Sequence, residues 1–116
     1  MRDLLLQCSG LAAIAVALIH GFIGETRVFA RATIEPPRLR ILVRLCWQIG
    51  TIGWICGGVL LIAAPSMESA PARHWIVITM CVMYAFGVIG NAWVSRGRHF
   101  GWMALSGVIA MAVAGY

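Results

Sequence analysis

The chain has 116 residues, 61% of them apolar and 11% charged. That balance excludes an ordinary soluble domain, because a chain this small could not hide so much apolar surface from water. The formal charge of +5 comes from nine arginines set against Asp3, Glu25, Glu35 and Glu68. It does not mark nucleic-acid binding: the arginines fall at the ends of apolar stretches, where anionic lipid headgroups lie.

The pattern predicts one all-α transmembrane domain over 1–116, a four-helix bundle with helices at about 4–31, 37–64, 71–95 and 98–115. The apolar stretch from Leu4 to Gly24 spans about 30 Å at the helical rise, one hydrocarbon core. An arginine-rich connection follows, and Pro36-Pro37 suits the first turn of a second helix. The apolar part of that helix runs from Ile41 to Ala64 and stops at Pro65. Ser69 ahead of Pro71 reads as the next helix start. The third apolar stretch runs from His74 to Val94, and Ser95-Arg96-Gly97-Arg98 reads as a tight turn. The fourth, Phe100 to Gly115, covers only about 24 Å. It either spans a thinned region or uses Arg98 and His99 as snorkelling ends.

Orientation follows from arginine placement. Arg27, Arg31, Arg38 and Arg40 lie in the first connection, with Arg44 just inside helix two, and Arg96 and Arg98 lie in the third. The second connection holds only Arg73 and the N-terminus only Arg2. The positive-inside rule therefore puts connections one and three in the cytoplasm and both termini outside. This is the expectation for a multi-pass protein of the bacterial inner membrane. Gly21-Phe22-Ile23-Gly24-Glu25-Thr26-Arg27-Val28 is echoed by Gly87-Val88-Ile89-Gly90-Asn91-Ala92-Trp93-Val94. This shared G-x-I-G-[E/N]-x-x-V pattern would make the chain two parallel helical hairpins. Cys8, Cys46, Cys56 and Cys81 have no metal-site spacing and read as small packing residues. The N-terminal stretch has neither a secretory nor a lipoprotein cleavage pattern.

Polar residues inside apolar helices are costly and point to function by default. Here six of them share one level. His20 lies about 6 Å before the cytoplasmic end of helix one and Glu25 at that end. Arg44 lies about 5 Å into helix two, Gln48 about 11 Å, and Asn91 about 5 Å before the end of helix three, by the helical rise. His99 opens helix four. Arg44, Gln48 and Thr51 form one stripe, as do His20, Gly24 and Arg27. Glu25 with Arg44 is the natural pair, since a lone charge at that depth is expensive. Two readings follow. One is a structural clasp completed by His20, Gln48 and Asn91. The other is a binding layer for an ion, metal or polar headgroup, with His20, Glu25 and His99 as weak metal candidates. A bis-histidine haem is disfavoured, because His74 sits at the opposite end. Gly50, Gly53 and Gly57 on helix two mark helix packing, within the bundle or against another subunit. The sequence carries no nucleophile–base motif and no phosphate loop.

The run His20-Gly-Phe-Ile-Gly-Glu25, with Arg44-Leu-Cys-Trp47 and Trp54, resembles a group of short four-helix bacterial membrane proteins. These share H-x-x-x-G-E ending helix one and R-x-x-W opening helix two. The resemblance covers the first half of the chain and implies an architecture but no activity. In that group a histidine often follows the tryptophan, whereas Gln48 stands here, which argues against a metal site. The expected role is therefore a non-enzymatic membrane protein acting as a homo-oligomer or as an accessory subunit of a larger complex. Lipids are its expected neighbours, and no cofactor is expected. The alternatives are a small transporter or channel using a His20/Glu25/Arg44 layer, and a metal- or cofactor-binding membrane protein.

Overall fold

A computed structural model describes residues 1–116 and contains helices and connections only. We number four helices: α1 (Arg2–Arg31), α2 (Pro37–Ala63), α3 (Ala70–Ser95) and α4 (Gly101–Gly115). α2 ends in a 3₁₀ turn, Ala64–Ser66, that carries Pro65. α1, α2 with its 3₁₀ turn, and α3 are each long and apolar enough to cross a membrane; α4, with 15 residues, is shorter.

Local chemistry sets the helix ends. Pro37 occupies the first turn of α2, where its missing N–H costs nothing. Ser69 Oγ caps α3 by accepting from the Ala72 N–H at 3.3 Å. At the far end of α3, Arg96 and Gly97 adopt left-handed backbone (φ 51° and 75°), and the Gly97 N–H returns to the Ala92 carbonyl at 2.8 Å. His99 then uses Nδ1 to accept from the Gly101 N–H, satisfying one of the orphan donors that open α4.

α1 is the centre of the bundle, flanked by α2 and α4, and α4 also packs along α3. α2 and α3 touch lightly. The closest crossing is Gly10 of α1 with Gly58 of α2. A Cβ on Gly58 would lie 2.6 Å from the Gly10 carbonyl oxygen, so the two backbones meet directly. Gly115 plays the same part between α4 and α1, where a Cβ would lie 2.8 Å from Arg2 O. Ser9 Oγ donates to the Val108 carbonyl at 2.7 Å across that contact. Leu6, Leu61, Tyr84, Leu105 and Val108 form the buried core.

The outside is as apolar as the inside. Phe86 is 79% exposed and Ile49 67%, while only 21 of 116 residues are buried. A water-soluble protein rarely leaves so continuous an apolar surface uncovered.

Candidate functional site

The six polar residues of the sequence layer do gather at one end of the bundle, the end that also carries seven of the nine arginines. The fold divides them between two structures. Glu25, Arg44 and Gln48 join α1 to α2. Arg44 contacts Glu25 through Nη2 at 2.5 Å and Nε at 3.0 Å, and Gln48 Nε2 donates to Glu25 Oε1 at 2.7 Å. One carboxylate thus accepts from two residues one turn apart on α2, as their spacing allows.

The two tryptophan-bearing turns of α2 complete this junction. Trp47 Nε1 donates to the His20 carbonyl at 3.1 Å. Its ring stacks on the His20 imidazole with centroids 4.1 Å apart and planes 4° apart. Gly24 makes room for it: any Cβ there would run into the indole. Phe29 meets the other side of Trp47 edge-on at 5.7 Å. Trp54 lies against His20 at 4.7 Å. The residues of H-x-x-x-G-E and R-x-x-W are therefore contact partners of one another. Between Gly24 and Val28, α1 widens into a π turn, a local change of hydrogen-bond register that often accompanies a functional site. Nothing in the sequence pattern announced it. Just beyond it, buried Phe29 is anchored by Arg40 Nη2, which donates to its carbonyl at 2.7 Å.

His20, Asn91 and His99 form the second structure. They line a half-open cavity of about 670 Å³ bounded by all four helices, and Glu25, Arg44 and Gln48 are not in its wall. Trp47, Trp54 and Leu105 supply much of the apolar wall, and Arg27 reaches its rim. Asn91 Nδ2 donates to the Gly87 carbonyl at 2.9 Å, which leaves Oδ1 without a helix partner. Ser95 Oγ donates to the Asn91 carbonyl at 2.5 Å and accepts from the His99 N–H at 3.3 Å, tying the α3–α4 turn to this wall. Arg27 was foreshadowed by its i+7 spacing from His20; Ser95 was read only as part of the tight turn, although it stands four residues after Asn91 on the same helix face.

The three metal candidates do not converge. His20 and His99 share the cavity, Glu25 is turned to α2, and no group of three His, Cys, Asp or Glu side chains forms anywhere in the chain. The three glycines of α2 are also separated. Gly57 packs on Met80, Met83 and Tyr84 of α3, whereas a Cβ at Gly50 or Gly53 would meet nothing within 4 Å. The reason is the light α2–α3 contact: the α2 backbone has a close neighbour at Gly57 but none at Gly50 or Gly53. The glycine pair of the closest crossing, Gly10 and Gly58, was not singled out by spacing, because its partners lie on different helices. The two halves of the sequence echo likewise differ. Gly24 admits Trp47 while Gly90 faces open space, and Glu25 pairs with α2 while Asn91 bonds within its own helix.

In comparisons with known proteins, no family model, no curated protein and no solved structure matches this chain.

Proposed function

We propose that this chain is a non-enzymatic protein of the bacterial inner membrane that works in a homo-oligomer or as an accessory subunit of a larger membrane complex. Four passes with both termini outside would set the arginine-rich end in the cytoplasm, where the positive-inside rule favours it. The observation that carries the reading is the open flank of α2. Gly50 and Gly53 present bare backbone, with exposed Ile49 and Ile52 beside them. Small residues on an apolar helix let another helix approach closely, and in lipid that close packing is a main source of association energy.

Cross-linking in native membranes tests this, with cysteine placed at Gly53 in a background where the four native cysteines are replaced by alanine. The expected result is a cross-linked species heavier than the monomer, with no such species from a cysteine at Phe86 on α3. A monomer in mild detergent, with no cross-link and no co-purifying protein, would overturn the reading.

A further inference from the structure

We infer that the cavity at the arginine-rich end is a binding site for a flat, lipid-soluble ring bearing oxygen substituents and an apolar tail, the quinone and quinol class. The inference uses the membrane setting of the proposed function but does not require an oligomer.

A half-open cavity of about 670 Å³ lies within the size range of small-molecule sites, which are largely apolar with a few polar groups that fix orientation. Here those polar groups are specific. His99 accepts from the Gly101 N–H with Nδ1, so its neutral imidazole carries the proton on Nε2 and offers a donor. Asn91 spends its amide N–H₂ on Gly87 and keeps Oδ1 as an acceptor. His20 makes no side-chain hydrogen bond; its ring is held by stacking on Trp47 and by a tilted contact with Trp54. No buried side-chain nitrogen or oxygen lacks a partner anywhere in the chain, so the His20 nitrogens are not sealed off, and the residue itself lines the cavity.

One donor, one acceptor and one group able to act as either suit a ligand whose oxygens can be carbonyl or hydroxyl. The aromatic walls suit a planar ring through offset stacking. The open side of the cavity leaves room for an alkyl or isoprenoid tail to extend out of it. An anionic phospholipid head fits less well. It needs several cationic donors, and Arg27 is the one arginine in the lining.

Gly90 supplies the variant that tests the site. It lines the cavity and a Cβ there meets nothing within 4 Å, so the backbone accepts a side chain at this wall and Gly90→Leu is expected to take up cavity space. The purified protein in phosphatidylcholine nanodiscs is titrated with decylubiquinone, and quenching of tryptophan fluorescence is followed, Trp47 and Trp54 being the two of the five tryptophans that line the cavity. The expected result is saturable quenching. Gly90→Leu should abolish the saturable part, and His99→Phe, which removes the donor, should weaken it about tenfold, the loss of one good hydrogen bond. Circular dichroism checks that both variants remain helical. A second arm titrates phosphatidylglycerol. Non-saturable quenching in the wild type, or equal affinity in wild type and Gly90→Leu, overturns the inference. So does phosphatidylglycerol binding that depends on Arg27 and not on His99, which would make the occupant an anionic lipid. The cross-linking result is independent of all these outcomes.

Discussion

The two ends of the bundle are built from the same four helices and solve their packing in opposite ways. At the end holding the termini, Gly115 lets α4 close onto Arg2 and Leu6, and Leu6 is fully buried. Polar groups there are spent locally. Arg73 donates to Asp3 Oδ1 and to the carbonyls of Ala64 and Pro65, each at 3.2 Å, and His74 bonds Tyr116. At the arginine-rich end, the helices leave a cavity, and hydrogen-bonding capacity on His20, Asn91 and His99 is left open to it. Packing at one end is finished; at the other it is finished only along the α1–α2 seam. The lesson is that a shared depth does not make a shared site. Glu25 and His20 are five residues apart, yet one closes a seam and the other lines a cavity.

Three experiments test that contrast, each read by reversible unfolding in mixed detergent micelles. The largest effect is expected from Gly58→Leu. Its side chain would be driven into the backbone of α1, and overpacking against backbone costs about 3 kcal/mol or more. A folded, fully stable Gly58→Leu protein would refute the direct backbone contact. Next comes a pair of variants, one at each end. Leu6→Ala at the closed end should cost about 2 kcal/mol. Lipid tails are as apolar as leucine, so the loss is mainly of dispersion contacts and not of hydrophobic transfer. Gly90→Leu at the open end should shift stability by less than about 0.5 kcal/mol, as for a substitution that touches no packed feature. Equal costs for the two would erase the distinction between the ends. A smaller loss than that of Leu6→Ala is expected at the closed end from Ser9→Ala, which removes the bond to the Val108 carbonyl. Interhelical hydrogen bonds in membranes average about 0.6 kcal/mol.

Much of the architecture was legible from sequence because apolar length, proline and arginine placement are local signals. Pro37 and Ser69 stand where α2 and α3 begin, and Gly97 lies in the turn that ends α3. The start of α4 was less legible. It lies at Gly101 because the left-handed pair Arg96-Gly97 and the His99 cap use up the residues before it. The Glu25–Arg44 pair could be read from depth and stripe alone, since a charge so placed needs a partner and few exist.

The number of helices and the level at which their polar side chains lie were therefore readable along the chain alone. Both follow from chain-local rules: 1.5 Å of rise per residue and the cost of exposing backbone and charge in apolar surroundings. Packing in three dimensions set the rest: α1 lies between α2 and α4, α2 and α3 stay lightly joined, and the polar level splits into a seam and a cavity. Those outcomes depend on which backbones can approach. Gly10 and Gly58 pull α2 onto α1, and no comparable pair draws the Gly50–Gly53 stretch of α2 onto a neighbour. Spacing along one helix does not contain that information, because close approach is a property of two surfaces at once.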